Sequence, residues 1–567
     1  MTARSYEPAA LKGPSPADLF LPKIVTVLRE GYRLRDLQAD VLAGLTVAIV
    51  ALPLSMAIAI ASGVGPERGL FTAVVGGLLI SALGGSRFQI GGPAAAFTVL
   101  VAGTVARHGI DGMLLATAMA GVMLVAIGAL RLGSYIKYIP YPVIVGFITG
   151  IAVILLIGQA RDFLGLTMTE NPADILPKLG TIASALPTAN PVAIAISAGT
   201  LVVIIALRRL LPSWPGILVA VVVAGAATAI LHLPVETIGT RFGGIPSSLP
   251  VPSLPIFSPG KALAVMPDAI AFALLGAIES LLSAMVADGM TGRRHRSNVE
   301  LVAQGIANVG AALFGGIPAT GTVARTATNV RSGARSPIAG MLHAAFVLLF
   351  MLVAAPLASF IPLAALAGVL VVVAWTMAEK HAFVALVRTS RGDAVVLLVT
   401  FVLTVVVGLT EAIVVGFALG TLLFLHRMAQ STQVAALLPP VPEDEPDEAG
   451  RPPYDAAVAA DPDIAVYRIS GAFFFGAAAT VGNVLDRIAD RHKAFVIDFA
   501  AVPFIDSTAA NTIGTAVRKA NRHGVVVLIS TVSPAIRDLL TTHGVRPPAV
   551  VFADTLDDAI AAARRAL

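Results

Sequence analysis

SRFQIGGPAAAFTVLVAG at residues 86–103 and FGGIPATGTVARTATNVRSG at residues 314–333 are the two stretches that decide the fold. Each has a short β-compatible run, a Gly-Gly and a Pro, and then small residues that suit a helix. Pro93 and Pro318 do not continue a helix upstream, because proline lacks the backbone N–H and crowds the preceding turn. Both stretches therefore read as broken helices reached through extended chain. A helix that starts there exposes N–H groups without acceptors and about half a positive charge. The small residues Ala94, Ala95, Ala96, Gly321 and Thr322 leave that backbone open to close approach. A single Gly-Pro pair more often marks a simple kink, so the weight lies on the two being matched.

The surrounding sequence supplies the match. A helix that crosses a bilayer needs about 20 apolar residues. Spans of that kind lie near 41–61, 69–84, 112–130, 141–158, 189–207, 214–231, 262–287, 299–314, 337–357, 361–377, 394–408 and 411–426. With the broken segments near 88–106 and 315–331 the series has fourteen members, and the broken ones are third and tenth. A repeat of seven inverts the second half in the membrane, so both new N-termini lie near the midplane. Two such N-termini aimed at one spot make an anion site out of backbone alone.

Composition places the chain in a bilayer. It has 567 residues, 56% hydrophobic and 13% charged, with a mean hydropathy of +0.86. Soluble domains carry about 25% charged residues. There is no cysteine, which excludes disulfides and thiolate metal sites. The net charge of +5 does not argue for nucleic acid, because in a membrane chain the positions of the charges carry the information. With the N-terminus inside, the inner connections hold Arg87, Arg131, Lys137, Arg208, Arg209, the run Arg293-Arg294-His295-Arg296, Arg331, Arg335, Arg388 and Arg391. The outer connections are mixed: Glu67 with Arg68, Arg107 with Asp111, Arg161 with Asp162, and Glu236 with Arg241. This positive-inside pattern predicts an even number of spans with both ends in the cytoplasm. Residues 1–39 are mixed and polar and read as a cytoplasmic segment without a signal peptide.

The expected domains follow. A transport domain covers 40–430, with repeats at about 40–232 and 262–430. An acidic, Pro-rich linker covers 431–460 and contains PPVPEDEPDEAGRPPYD. Residues 461–567 read as a soluble α/β domain. Its strand-like runs are Ile464–Ile469, Ala472–Phe475, Ala494–Phe499 and Val525–Ile529, and its helical stretches lie near 478–490, 507–522, 533–543 and 555–566.

Two charges lie inside the apolar series. Glu279 sits in AIAFALLGAIESLLSAMVA, and a carboxylate at that depth is costly unless paired, solvated or protonated. It is a candidate for binding a proton or helping to hold a cation, and Ser283 lies one turn further along the same face. The alternative is a structural carboxylate bonded to a neighbouring helix. Arg325 lies four residues after Gly321, where a guanidinium adds positive potential beside the helix terminus. Its alternative is a structural ion pair with Glu279. Pro53, in LPLSMAI at 52–58, is expected to kink the first span. No nucleophile–base pair, metal cluster or nucleotide loop is present in the pattern, so an enzyme is not expected.

With these residues in view the chain resembles the SulP family of anion transporters and exchangers, from Leu34 to Leu567. The resemblance is carried by LLGAIESLLSAMVADGMTG and GIPATGTVARTATNVRSGARSP. It implies a polytopic α-helical membrane protein built as an inverted seven-plus-seven helix repeat. Core and gate domains are implied, with the third and tenth helices broken and each preceded by a short strand, plus a cytoplasmic α/β STAS domain. It implies elevator-like alternating access, with the anion held by Leu54, Ile58, Ala94, Ala95, Thr322, Val323, Ala324 and Arg325. Glu279, with Ser283, matches the acidic position that bacterial relatives use for cation coupling. Some relatives have Asp there and depend on sodium, so Glu points toward protons. Several relatives have a polar residue where Leu54 stands, so that side-chain hydrogen bond is absent here. The resemblance also implies a homodimer in the inner membrane of a bacterium, with the STAS tail free to bind a regulatory protein.

In soluble relatives of that tail a Ser is phosphorylated, and Ser507 in VPFIDSTAANTIG matches it. The alternative is that Asp506 or Ser507 simply caps the following helix. The expected function is secondary active transport of sulfate, bicarbonate or a C4-dicarboxylate, by proton symport, with sodium symport or anion exchange as alternatives. No cofactor is expected beyond the co-transported cation. The competing readings are a proton-coupled nucleobase transporter, a channel, and a membrane-anchored signalling scaffold.

Overall fold

The computed structural model describes residues 20–133, 140–168, 172, 175–211, 214–436, 463–488 and 492–567. Each of the fourteen expected segments carries a helix. In the first half these are α1 (Leu34–Ala61), α2 (Pro66–Leu83), α3 (Thr98–Ala129), α4 (Tyr141–Gly158), α5 (Pro191–Leu210) and α6 (Gly216–Leu231). In the second they are α7 (Pro259–Thr291), α8 (Ser297–Leu313), α9 (Val323–Arg331), α10 (Ile338–Ala358), α11 (Leu363–Met377), α12 (Arg391–Val406) and α13 (Leu409–Gln430). The third and fourth segments run together as α3 across a kink at Gly109, where φ is 69°.

Among the described residues nine helical stretches are long and apolar enough to cross a membrane. The others fall short of that measure by length: α6 and α12 have 16 residues, α8 has 17 and α9 has 9. Pro53 lies inside α1 and does not end it.

The helices pack in two sets, and the contacts repeat at a spacing of seven segments. α1 packs on α10, and its counterpart α7 packs on α3, which contains the fourth segment. α2 packs on α10, and α8 packs on α3. In the second set α4 packs on α12 and α11 packs on α5. Close approach needs small residues: a Cβ on Gly121 would meet the Gly305 carbonyl at 2.6 Å, and one on Gly305 would meet the Gly121 carbonyl at 2.4 Å. Small residues of this kind let helix backbones touch where there is no water to drive association. Asp40 of α1 ties down the start of α10. It accepts hydrogen bonds from Arg335 N at 2.7 Å, Ser336 N at 3.2 Å and the Tyr32 hydroxyl at 2.8 Å.

Between the two halves lies a miniature sheet. β1 (Gly91–Pro93) and β2 (Ala319–Gly321) pair antiparallel, with Gly91 opposite Gly321 and Pro93 opposite Ala319. The strands are buried. Their outer backbone groups therefore need partners, and side chains supply them. Asn308 accepts from Ala319 N at 2.9 Å and donates to Ala319 O at 2.8 Å, as a neighbouring strand would. Ser280 Oγ accepts from Gly321 N at 3.2 Å and from Gln89 Nε2 at 3.1 Å, and donates to Gln304 Oε1. Gln304 Nε2 donates to Ala319 O. A Cβ on Gly321 would lie 1.7 Å from Gln89 Nε2, so a larger residue there would displace the Gln89 side chain and its bond to Ser280.

The chain divides into compact units Met1–Phe417 and Ala418–Leu567. The second unit holds a five-stranded sheet in the order β3 (Gln433–Ala436), β4 (Ile464–Ser470), β5 (Ala494–Ala501), β6 (Val526–Ser530) and β7 (Val551–Ala553). β3 is antiparallel to β4 and the rest are parallel. Helices Phe475–Ile488, Ser507–Arg522, Pro534–Thr542 and Leu556–Ala566 alternate with the strands. The buried carboxylate of Asp498 is balanced by Arg468 Nε at 2.6 Å and Ser530 Oγ at 3.1 Å. Two features differ from the sequence reading. The sheet's first strand, 433–436, lies ahead of residue 461 and inside the expected linker; linker residues 437–460 lie outside the described residues. Ala472–Phe475 is not a strand: only Phe473 makes a bridge, to Ile505, and a helix begins at Phe475.

Replacing Asn308 tests the ladder. Asn308→Leu strips Ala319 of its side-chain partner for N–H and one of its partners for C=O inside the bundle. A buried unsatisfied group costs about 1–3 kcal/mol, so the melting temperature of the detergent-purified protein should fall by several degrees. An unchanged melting temperature would show that the strands do not depend on this clamp.

Candidate functional site

The two helices that follow the strands begin at opposite ends of the ladder. Ala94 is the N-cap of a 3-10 turn, Ala95–Phe97, that leads into α3. Thr322 is the N-cap of α9, and its side chain makes no capping bond. The first-turn N–H groups of each start have no intrahelical acceptor. Both starts line one cavity of about 320 Å3. The sequence had paired Pro93 with Pro318. The register instead sets Pro93 against Ala319, so Ala94 and Thr322 are the equivalent positions and Pro318 merely leads into β2.

The cavity wall includes Leu54, Ile58, Ala94, Ala95, Thr322, Val323, Ala324, Arg325 and Glu279. Every substrate-site residue proposed from the sequence thus borders one space. Ser283 does not border it. It is fully buried, and its hydroxyl donates to Thr326 Oγ1 at 3.0 Å. That bond supports α9 from behind, since Thr326 Oγ1 in turn accepts from Ile90 N at 3.1 Å.

Arg325 is 2% exposed, yet its guanidinium is not fully used. Nη2 donates to Ser55 Oγ of α1 at 3.1 Å. Nε and Nη1 are buried and have no hydrogen-bond partner among the described residues, and the same holds for Thr322 Oγ1. Arg325 and Glu279 line the same cavity without an ion pair within 4.0 Å. The structural pairing weighed as an alternative is therefore absent here. Glu279 is half-buried, with no hydrogen-bond or ion-pair partner among the described residues. An unpaired carboxylate and an under-bonded guanidinium in one apolar enclosure are costly unless ligands complete them.

Gly92 leaves room for the guanidinium. Its φ is +152°, and a Cβ there would lie 2.3 Å from Arg325 Nη1. The opposite wall comes from the second helix set: Ile148 of α4 and Val373, Thr376 and Met377 of α11, with Glu379 just beyond. The sequence reading missed Ser55, Gln89, Ser280, Gln304, Asn308, Thr326 and Glu379. Their common signal was a polar side chain within or at the end of an apolar span, as with Gln304 and Asn308 one turn apart in LVAQGIANVG.

In the second unit, Asp506 caps the helix Ser507–Arg522, accepting from Ala509 N at 2.8 Å. Ser507 itself is exposed at the first position of that helix.

Residues 37–400 match the model of the sulfate permease family, and residues 455–559 match the STAS domain. The putative sulfate transporter YvdB of Bacillus subtilis is 40% identical over 518 residues, covering 91% of this chain and 95% of that protein. The bicarbonate transporter BicA of Picosynechococcus is 31% identical over 501 residues, covering 86% of this chain and 87% of that protein. The solved structure of the murine Solute Carrier 26 family member A9 anion transporter superposes with a TM-score of 0.85 at 17% identity. It covers 99% of this chain and 97% of that one, and so shows the shared fold.

Gly92→Ala is expected to unseat Arg325 while leaving the bundle assembled. The protein should elute as wild type on size exclusion, and its affinity for a protecting anion, read from anion-dependent thermal stabilisation, should drop about tenfold. That loss corresponds to one weakened charged hydrogen bond. Unchanged stabilisation by anions would show that the guanidinium does not need Gly92.

Proposed function

This chain belongs to the sulfate permease family of membrane anion transporters, and we propose that it works as a secondary active symporter. It binds a small anion between the Ala94 and Thr322 helix starts and couples its passage to a proton on Glu279. The observation that carries this reading is the cavity itself. The two helix starts, Arg325 and the unpaired Glu279 border the same 320 Å3, and Arg325 Nη1 and Nε are buried without hydrogen-bond partners among the described residues. Backbone N–H groups and a guanidinium are donors only, so the ligand they complete is an acceptor with negative charge. Glu279 beside them supplies the place where a cation can offset that charge inside the membrane.

The packing supports alternating access of the elevator kind. The strands, α1 and α9 carry the ligand wall on one side, and Ile148 and Val373 face them from the other helix set. No hydrogen bond or ion pair among the described residues joins Ile148, Val373 or Met377 to the ligand-carrying set, so these side chains can slide past it. The positive-inside charges support a topology with both termini and the STAS tail in the cytoplasm, in the inner membrane of a bacterium. Assembly as a homodimer, and recruitment of a regulatory protein by the tail, rest on family resemblance.

Purified protein in liposomes should accumulate labelled bicarbonate, sulfate or succinate, and an inward proton gradient should raise the uptake. Glu279→Gln should keep binding but lose the response to the gradient. Arg325→Ala should raise the half-saturation constant about 10- to 100-fold, the worth of one or two charge-assisted hydrogen bonds. Uptake driven by sodium alone, with no proton response in wild type, would replace the proton with sodium. Uptake of none of these anions would remove the transport reading.

A further inference from the structure

We propose that the cavity selects singly charged over doubly charged anions, and that Glu379 sets this selection. The inference rests on the reading of the cavity as the anion site. Among the described residues, the charged side chains bordering it are Arg325, Glu279 and Glu379. On the positive side stand one guanidinium and two helix starts, each of the latter worth about half a charge. On the negative side stand two carboxylates. With Glu279 neutralised by its coupled cation, the balance is about one positive charge, which one monoanion satisfies. A dianion would leave negative charge uncompensated in a partly dehydrated space.

Glu379 is free to act on the ligand because the fold gives its side chain no capping duty. It occupies the N-cap of the helix Lys380–Thr389, yet makes no side-chain capping bond. Its carboxylate instead accepts from the Tyr141 hydroxyl of α4 at 3.3 Å. That contact holds it against the cavity from the helix set opposite Arg325. Neighbouring Lys380 is engaged elsewhere: its ammonium lies over the Trp375 ring, 3.5 Å from the centroid. No basic group forms an ion pair with Glu379 within 4.0 Å among the described residues. The carboxylate is exposed at the mouth, so its effect falls on the anion's approach and binding and is screened by salt. A fixed charge acts through a Boltzmann factor raised to the charge of the ligand, so a dianion feels the square of what a monoanion feels.

The test uses full-length protein in liposomes at low ionic strength. Uptake of labelled bicarbonate and nitrate is compared with that of sulfate and succinate, for wild type, Glu379→Gln and Glu379→Asp. Wild type should favour the monoanions. Glu379→Gln should raise kcat/KM roughly threefold for monoanions and roughly tenfold for dianions, and potassium gluconate should shrink the difference. Glu379→Asp should keep the wild-type ratio. Equal effects of Glu379→Gln on both charge classes, or wild-type dianion uptake matching that of monoanions, would overturn the inference while leaving transport intact. Uptake of no anion at all overturns the transport reading and this inference with it.

Discussion

A backbone that leaves its helix inside a bilayer must find a partner for every N–H and C=O it frees. The arrangement between the two halves follows from that constraint. β1 and β2 solve part of it by pairing with each other. Asn308, Ser280, Gln304 and Thr326 solve most of the remainder with side chains from flanking helices. The groups left over are the first-turn N–H groups of the two helix starts, and these open on the cavity. The site is thus what the structural problem leaves unsatisfied, and the proposed anion is the ligand that would complete it.

The charged residues fit the same logic. Arg325 donates to Ser55 and occupies space that a side chain on Gly92 would close, and two of its nitrogens have no partner among the described residues. Glu279 keeps its carboxylate without a protein partner in the same enclosure. Had the two paired directly, the cavity would be electrically closed and the helix starts would face no charge that moves. On the proposed reading, their separation leaves a place each for the anion and a coupling cation. Glu379, exposed at the mouth, is the acidic group that the other helix set contributes to the cavity lining among the described residues.

Much of this was legible in the sequence, for physical reasons. Fourteen apolar segments are strong signals because the bilayer demands them, and each one carries a helix. Glu279 and Arg325 stood out because ionised groups are rare at that depth. What stayed hidden was register. Matching Gly-Pro to Gly-Pro aligned Pro93 with Pro318, whereas strand pairing aligns Ala94 with Thr322 as the two N-caps. A proline marks where a helix cannot continue; the end of the strand marks where the next one starts. β3 was missed because it precedes the Pro-rich linker and pairs across it with β4. Ser280, Gln304 and Asn308 were missed because each alone is an ordinary polar residue in a helix, and only the ladder gives them a common purpose.

The central claim is that the anion sits between the two helix starts beside Arg325. Anomalous scattering from crystals grown in bromide tests it most directly. The account predicts one strong peak within hydrogen-bonding distance of the first-turn N–H groups that follow Ala94 or Thr322, facing the Arg325 guanidinium, and its loss in Arg325→Ala. Bromide bound elsewhere in the membrane domain, with this position empty, would contradict it.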